Sequence, residues 1–305
     1  MHILIANAIL PPFGGLGSWT ETMVSDLISR GFKVDVFTLE PGIYSEKIAN
    51  SISVKELWNR PRDFYDIALI QHNNCLEIIR RLHVAKKICM TTHSRYCPID
   101  QPIKGAHYYV TISEEIKAHM LKSGFEARII KSPIDTKRYR PLNPLKKKLH
   151  NVGLLSNYRK AEALIRGACL ELDLEFTIIG GENPIWEITE AINYCDLVVS
   201  VGRGALEAMS CGRAVIVFDD RGYYPAWSDG YFYPEKGLEM AQFNYTGRRF
   251  RRDANMTTIS AMMDEYQSDD GQKNRQYVVE HHSVKSVVDT YLELITSGAL
   301  PRSLH

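Results

Sequence analysis

The stretch that decides the fold reads Ser200-Val201-Gly202-Arg203-Gly204-Ala205-Leu206-Glu207-Ala208-Met209-Ser210-Cys211-Gly212. It follows the apolar run 197–199 and precedes a second apolar run, 214–218. Two apolar runs that flank a glycine loop and a periodic segment predict a strand, a loop, a helix of about two turns and a strand. The stretch therefore predicts an α/β unit with a loop at the carboxyl end of its first strand.

The residue types of this loop suit a ligand site. Gly202 and Gly204 allow backbone N–H groups to approach a ligand, and the start of a helix adds partial positive charge. Glu207 falls in the first helical turn, where a carboxylate can accept two hydroxyl hydrogen bonds while Arg203 and the loop hold phosphate. The alternative is a solvated Glu207 with glycines that only make a turn. Because glycines, arginine and acid coincide in one turn, we favour the ligand site.

The composition excludes several classes of protein. The 305 residues are 45% hydrophobic and 24% charged, and 37 Lys and Arg nearly balance 36 Asp and Glu, which argues against a general nucleic-acid binder. The six cysteines show no C-x-x-C spacing, so we expect reduced core residues. The run 1–7 lacks a basic lead-in and no apolar run approaches the length of a membrane span. We expect a cytoplasmic protein.

Strand-like and helical patterns alternate along the first half of the chain. The strand-like runs are His2–Asn7, Lys33–Thr38, Asp66–Gln71, Lys87–Thr92, Tyr108–Ile112 and Ala127–Ile130. Alternation of this kind predicts a parallel sheet covered by helices on both faces.

A proline-rich and basic segment, 132–148, has the composition of a linker. The alternation restarts after it with strands at Asn151–Leu155 and Glu175–Ile179, while 219–237 is rich in Gly, Tyr and Pro and is predicted to be loop. We therefore predict two successive βα domains, 1–140 and 141–282, and a C-terminal helical segment, 283–305.

Five segments in this order resemble the retaining glycosyltransferases of family 4, which have the GT-B fold. They are Gly14-Gly15-Leu16-Gly17; Val110–Ser113 with Ile129–Asp135 and Tyr139-Arg140-Pro141; Asn151–Leu155 through Arg159-Lys160; Leu206–Ile216; and His282-Ser283-Val284 with Val288–Leu294. The second of these resembles the family's run into the interdomain linker, and the fourth its donor-site helix.

The resemblance implies two Rossmann-like domains that face each other across a cleft, with a C-terminal helix returning to the N-domain. It implies a metal-independent, cofactor-free transfer of sugar from a nucleotide sugar, by family frequency a UDP-sugar, to an acceptor hydroxyl with retention. The acceptor classes are a glycan, a lipid-linked molecule or a protein. Glu207 matches the acid that holds the ribose, and Arg159 or Lys160 supplies charge to the diphosphate. No D-x-D sequence, the metal grip of another transferase fold, is present.

The chain departs from the family at two points of the donor site, one of them Leu154, where the family has an arginine directly after the glycine of its phosphate-binding strand. Family members have two glutamates separated by seven residues, and only the second has a counterpart here, Glu207. Val201-Gly202-Arg203-Gly204 occupies the place of the first, which helps hold the donor sugar. Two alternatives therefore stay open: a non-catalytic nucleotide- or glycan-binding protein of this fold, and a sugar-nucleotide epimerase.

Further candidates lie outside the donor helix. His93 ends a predicted strand, where open α/β sheets bind ligands, and is either a contact to donor sugar or acceptor or a capped polar residue. Gly14, Gly15 and Gly17 lie well beyond the first strand and do not read G-x-G-x-x-G, which favours a loop over a cleft rather than a dinucleotide site.

Charged residues elsewhere are interpreted more simply. Asp219-Asp220 reads as a pair of loop charges, and His281-His282 is expected to face solvent. The basic clusters 146–148 and 248–252 are either a peripheral contact with anionic lipid at the inner face of the membrane or solvated faces.

Overall fold

A computed structural model of the chain describes residues 1–10, 14–40, 51–181, 187–219, 221–222 and 226–297. The chain forms two compact units, one made of Met1–Pro133 with the segment from Val284 onward, the other of Ile134–Ser283. Both are α/β, as predicted. None of the helices in these described ranges is long and apolar enough to cross a membrane.

The first unit is built on a parallel sheet. Its elements are β1 His2–Ile9, α1 Gly15–Ser29, β2 Lys33–Glu40, β3 Ser51–Ile52, α2 Val54–Trp58, β4 Tyr65–Ile70, α3 Asn73–Leu82, β5 Ala85–Thr92, β6 Tyr108–Thr111, α4 Glu114–Lys122, β7 Arg128–Ile129 and α11 Val284–Ser297. The strand order is β3-β2-β1-β4-β5-β6-β7, and every pairing is parallel. Residues 3–8 of β1 are buried without alternation, which is typical of a strand covered on both faces.

The helix α11 belongs to the first unit although it ends the chain. The Tyr291 hydroxyl lies 3.1 Å from the Thr91 hydroxyl at the end of β5. Arg30, just after α1, pairs with Asp289 and donates to the carbonyl of Lys285 at 2.8 Å. The apolar side chains of α11 pack on those of α1, β1 and β4. The last helix therefore completes the hydrophobic core of the unit that the first strand begins.

The second unit repeats the architecture with a mixed edge. Its elements are β8 Asn151–Leu155, α5 Glu162–Glu171, β9 Glu175–Ile179, α6 Ile188–Tyr194, β10 Leu197–Ser200, α7 Arg203–Ser210, β11 Ala214–Asp219, β12 Trp227–Tyr231, α8 Pro234–Ala241, β13 Arg252–Asp253, α9 Met256–Asp264 and α10 Asp270–His282. The strand order is β13-β12-β11-β10-β8-β9; β12 pairs antiparallel with both β11 and β13, and the other pairings are parallel. The segment 219–237, predicted to be loop, contains β12 and the start of α8.

Hydrophobic cores cover both faces of the second sheet. Side chains alternate along a strand, so Val198 of β10 packs with Leu206 of α7 on one face. Leu197 and Val199 pack with Ile165 and Ile259 on the other. All six cysteines are free, and five of them are buried.

The chain crosses between the units at two adjacent points. The Ile134 N–H donates to the carbonyl of His282 at 2.7 Å, and Ile134 forms a parallel bridge with Ser283. Residues 134–140 therefore fold with the second unit, and Tyr139 is buried in its core. The chain passes from one unit to the other between residues 133 and 134 and between 283 and 284. The predicted domain boundaries lie between 140 and 141 and between 282 and 283. The assignment of acceptor and donor roles to the two domains stays a prediction.

Candidate functional site

The second sheet opens a crevice where its strand order reverses. From β8 the chain continues to β9 on one side, whereas β10 lies on the other side of β8 and leads on to β11. Loops that leave β8 and β10 therefore diverge at their carboxyl ends, which is where open α/β sheets bind ligands. The Ser200 hydroxyl donates to the Leu155 carbonyl at 2.8 Å and holds these two strand ends together.

The geometry of the glycine loop requires glycine at two positions. Gly202 has φ +57° and ψ −123°, a conformation that side chains disfavour. A Cβ atom at Gly204 would lie 2.5 Å from the Ser200 hydroxyl, so α7 approaches the end of β10 closely. The Gly202 N–H, however, donates to the Tyr245 carbonyl at 2.7 Å rather than standing ready for a ligand. The backbone N–H groups of the first turn of α7 also point out of this end of the helix.

Arg203 and Glu207 form a buried ion pair on the first two turns of α7. Arg203 Nε lies 2.9 Å from Glu207 Oε1, and the two residues are only 8% and 5% exposed. The alternative of a solvated Glu207 is wrong. A carboxylate is stable in such a position only when its charge is compensated, and Arg203 provides that compensation.

Arg159 and Lys160 lie in the exposed loop between β8 and α5. Arg159 pairs with Glu162 at 3.3 Å, and a Cβ atom at Gly181, after β9, would lie 3.1 Å from Arg159 Nε. Lys160 extends the other way: a Cβ atom at Gly222 would lie 2.5 Å from its Nζ. The two cations thus reach loops that follow β9 and β11, on either side of the crevice.

Two further charged residues, Asp219 and Arg221, lie at the same sheet edge. The sequence analysis did not identify them as site candidates. Asp219 is the last residue of β11 and is 1% exposed, so its interpretation as a loop charge is wrong. Arg221 holds its carboxylate with two bonds of 2.8 and 2.7 Å, and Arg248 Nη1 lies 3.9 Å away. The detectable signal was an acid at the carboxyl end of a strongly apolar strand, followed two residues later by an arginine.

The basic cluster 248–252 is largely engaged within its own unit. Arg248 is buried beside Asp219, Arg249 pairs with Glu239, and Arg251 lies over the Trp227 ring at 4.9 Å. Lys146–Lys148 are exposed. The lipid-contact alternative for these clusters stays a prediction.

The candidates of the first unit lie on two elements. Gly14 is the N-cap of α1, and Gly15 and Gly17 are in its first turn, so these glycines form a helix start rather than the predicted loop. His93 follows β5, and its Nε2 lies 2.5 Å from Oε1 of Gln71, which follows the neighbouring strand β4.

Buried polar groups surround this histidine. The Trp19 ring meets the His93 ring edge-on at 5.7 Å between centroids. Gln71 Nε2 and Trp19 Nε1 are buried, and neither has a hydrogen-bond partner within the described part of the chain. Because buried donors are rarely left without an acceptor, these two donors are candidates for contact with a polar ligand at this sheet edge.

A second histidine nearby is coupled to an unusual carboxyl group. His72 Nδ1 accepts the Ala8 N–H at 2.8 Å, and its Nε2 lies 3.5 Å from Asp100 Oδ1. Burial lowers the pKa of His72 to about 4 and raises the pKa of Asp100 to about 7. This pair joins the segment after β5 to the end of β4. Because its members are 28 positions apart, no local sequence pattern predicts it.

The structure therefore groups the predicted residues into two sets. Gly202, Arg203, Gly204 and Glu207 share the start of α7, with Arg159 and Lys160 on the same sheet edge. Gly14, Gly15, Gly17 and His93 belong to the first unit. In the described ranges, no group of three or more His, Cys, Asp or Glu residues is arranged to hold a metal ion.

Comparison with known proteins identifies the fold. No family model and no curated protein matches the chain. Among solved structures, TarM from S. aureus, in complex with fondaparinux, α-GlcNAc-glycerol and UDP, is 11% identical with a TM-score of 0.65, covering 96% of this chain and 99% of that chain. The pneumococcal O-GlcNAc transferase GtfA, with UDP and GlcNAc, is 8% identical with a TM-score of 0.64, covering 97% and 99%.

A third similar structure is an α-glucosyltransferase with UDP and a 13-mer DNA, 12% identical with a TM-score of 0.61, covering 97% of this chain and 99% of that chain. Likeness over nearly the full length of all three chains decides the architecture. The chain has the GT-B fold. At 8–12% identity the likeness extends to the fold alone.

Proposed function

We propose that the protein is a glycosyltransferase that binds a nucleotide-sugar donor at the carboxyl edge of its second sheet. The observation that carries the proposal is the buried Arg203–Glu207 pair at the start of α7, beside two obligatory glycines. A protein that needed only a turn here would not bury an ion pair, because the desolvation of both charges is costly. A hydroxyl-rich anionic ligand can bind both charges, since its hydroxyl groups donate to Glu207 and its negative charge attracts Arg203.

The similar structures favour a UDP-sugar as the donor. TarM, GtfA and the α-glucosyltransferase are each described with UDP bound, and GtfA with GlcNAc as well. We extend this to the present chain as a proposal, together with membership of the retaining family 4 that the sequence resembles.

Each residue of the donor site has a role in this proposal. Glu207 accepts hydrogen bonds from the ribose hydroxyls, and the N–H groups of the first turn of α7 bind the diphosphate. Arg159 and Lys160 stabilise the negative charge that grows on the diphosphate as it leaves. Arg203 pairs with Glu207 and balances its charge inside the unit.

The proposed reaction needs neither a metal nor a covalent nucleophile. The bond between the anomeric carbon and the diphosphate oxygen breaks, and a bond to the acceptor oxygen forms on the same face of the sugar. The departing diphosphate oxygen takes the acceptor proton, so configuration is retained and atoms balance. We assign the acceptor, a glycan, lipid-linked molecule or protein, to the first unit, where Gln71, His93 and Trp19 offer polar and aromatic contacts.

A nucleotide panel tests the donor site directly. Ligand at about 100 times its Kd raises the free energy of unfolding by about 2.7 kcal/mol, so UDP should raise Tm more than GDP or ADP. Glu207→Gln should weaken UDP binding at least about tenfold, since it removes charge-assisted hydrogen bonds. Glu190→Gln, an exposed acid in the first turn of α6, is the matched control.

A second variant is needed because Glu207→Gln removes the carboxylate that pairs with the buried Arg203. Arg203→Gln with Glu207→Gln removes both charges, keeps a polar side chain at each position and should also lose UDP affinity. UDP affinity near that of the wild type in either folded variant would refute the donor site.

One observation favours a second candidate, a non-catalytic nucleotide-binding protein. Val201-Gly202-Arg203-Gly204 occupies the place of the family's sugar-binding glutamate, and Arg203 of this segment is already paired with Glu207. Incubation with UDP-glucose or UDP-GlcNAc, followed by mass spectrometry for UDP release, separates the two. Sugar transfer with the anomeric configuration kept supports the enzyme, whereas UDP binding without turnover on a panel of acceptors supports the binding protein.

A further inference from the structure

We propose that Tyr245 is a positioning residue that couples the glycine loop of the donor site to the segment joining the two units. Its backbone carbonyl accepts a hydrogen bond from the glycine loop. Its buried hydroxyl is hydrogen-bonded to His282, next to the points where the chain passes between the units, which we call the junction. Only the expected change in donor affinity rests on the proposed function. The hydrogen-bonded coupling itself is tested without a ligand.

The first link is between Tyr245 and the start of α7. The Tyr245 carbonyl accepts the Gly202 N–H at 2.7 Å, and the Gly202 carbonyl accepts the Leu206 N–H at 3.3 Å as α7 begins. The position of the Tyr245 carbonyl therefore sets where the first turn of α7, with Arg203 and Glu207, begins. The side chain of Asn244 also lies against Gly202, 3.6 Å from the site of a Cβ atom.

The second feature is the backbone of Tyr245 itself. Asn244 and Tyr245 both have φ +52°, two successive left-handed residues neither of which is glycine. Left-handed backbone is unusual for a bulky residue and persists only where its surroundings hold it. Here the side chain supplies the restraint, because its ring is 1% exposed and packs against Phe232, Tyr277 and His282.

The third link runs from the hydroxyl to the junction. The Tyr245 hydroxyl lies 2.8 Å from His282 Nε2 and 2.8 Å from the Tyr277 hydroxyl. The His282 carbonyl accepts the Ile134 N–H at 2.7 Å, next to the bridge between Ile134 and Ser283. Ile134 and Ser283 are the first and last residues of the second unit. His282, expected to face solvent, is therefore buried at the centre of this connection.

The opposite end of α7 is tied to the same segment. The Ser210 hydroxyl donates to the Tyr139 carbonyl at 2.6 Å, and Arg275 Nη1 donates to the carbonyls of both Ser210 and Tyr139. Arg275 Nη2 also donates to the carbonyl of Thr136 at 3.2 Å. The carboxyl end of α7 is thus hydrogen-bonded directly to the chain that follows Ile134. Tyr245 connects the amino end of the helix to Ile134 indirectly, through His282.

Tyr245→Phe tests the coupling, with Tyr277→Phe as the matched control. Both remove one hydroxyl from the same buried pair, but only the first breaks the bond to His282. Amide hydrogen exchange at Gly202 and Ile134 should accelerate at least about tenfold in Tyr245→Phe and stay within about twofold of wild type in Tyr277→Phe. UDP affinity should fall at least about fivefold in the first variant only.

The outcomes separate the inference from the proposed function. Unchanged exchange at Gly202 and Ile134 in a folded Tyr245→Phe protein overturns the coupling, as does equal acceleration in both variants. If the wild type binds no nucleotide, the donor site fails, while the exchange result still decides the role of Tyr245. Faster exchange together with unchanged UDP affinity overturns the positioning role.

Discussion

At the scale of single residues, Arg203 and Glu207 show how burial makes two charges depend on one another. Each is less than 10% exposed and each finds its opposite charge one helical turn away. Two charges taken out of water are tolerated together, whereas either alone is strongly destabilising. The sequence spacing predicts the adjacency of the pair, but not its burial.

Arg203→Met should therefore lower the free energy of unfolding by about 3–5 kcal/mol, because it removes one partner of a buried ion pair. The double variant with Glu207→Leu should recover most of that loss, since it replaces both charges with apolar groups of similar volume. Urea denaturation of the two single variants and the double variant measures the coupling. Additive losses would contradict it.

Asp100 gives the protein a pH-dependent stability. Its pKa is raised to about 7 in the folded chain from an ordinary value of 3.8. A raised carboxyl pKa contributes stability that is complete below the unfolded pKa and is lost as pH rises through the folded one. His72, whose pKa is lowered to about 4 by burial, acts in the opposite direction and is present in both wild type and an Asp100 variant.

Asp100→Asn imitates the protonated acid at every pH. Its stability relative to wild type should therefore rise by about 2–3 kcal/mol between pH 5 and pH 8. Urea denaturation at both pH values measures the difference, with Asp264→Asn, an exposed aspartate at the end of α9, controlling for the lost charge. A difference that is constant with pH would contradict the raised pKa.

At the scale of elements, the close approach of α7 to β10 and β8 depends on Gly204. A Cβ atom there would meet the Ser200 hydroxyl, which is fixed by its bond to Leu155, and would lie 3.3 Å from the Leu155 side chain. Gly204→Ala should destabilise the protein by about 1–3 kcal/mol and weaken UDP binding, because α7 must shift. Thermal denaturation and isothermal titration measure the two effects.

Gly167 in α5 is the matched control. A Cβ atom there meets only the terminal methyl and sulfur of Met256, the far end of a flexible side chain. Gly167→Ala should be neutral or stabilising by up to about 1 kcal/mol, since alanine favours a helix interior over glycine. Equal destabilisation by both substitutions would show that packing at Gly204 is not special.

Elements whose pattern is local were predictable from the sequence. The strand, glycine loop, two-turn helix and strand of 197–218 form as expected, because apolar runs and a short periodic segment lie next to each other. The start of α1 was not predictable in this way. Glycines at 14, 15 and 17 disfavour a helix by propensity, and tertiary packing overrides that preference. β12 was missed because its antiparallel pairing with β11 compensates for a poor strand composition.

At the scale of the whole molecule, the repeated alternation of strands and helices predicts two α/β units correctly, and the resemblance predicts the GT-B fold. Contacts between distant positions were beyond the sequence. Tyr245 and His282 are 37 positions apart, Arg275 and Tyr139 are 136 apart, and neither pair follows from a local pattern. The glycines and Glu207 of the candidate site were predicted because they lie close together in the sequence, whereas Asp219 and Tyr245 come near them only in the folded chain.

The last helix offers a test of the division into units. Tyr291 of α11 is 2% exposed, bonds to Thr91 and packs on Trp19 of α1, so it belongs to the core of the first unit. Tyr291→Ala should lower the stability of that unit by about 3–5 kcal/mol through the cavity it creates. Because the second unit has its own core, its stability should change by less than about 0.5 kcal/mol.

Native-state hydrogen exchange resolves the two units in one experiment. Peptides from β1, β4 and β5 should lose protection in Tyr291→Ala, while those from β8, β10 and β11 keep it. Tyr291→Phe, which removes only the hydroxyl bonded to Thr91, should cost about 1 kcal/mol and give the same pattern at smaller amplitude. Loss of protection in both sheets would mean that the two units unfold as one cooperative body, and the division at Ile134 and Ser283 would then have no thermodynamic meaning.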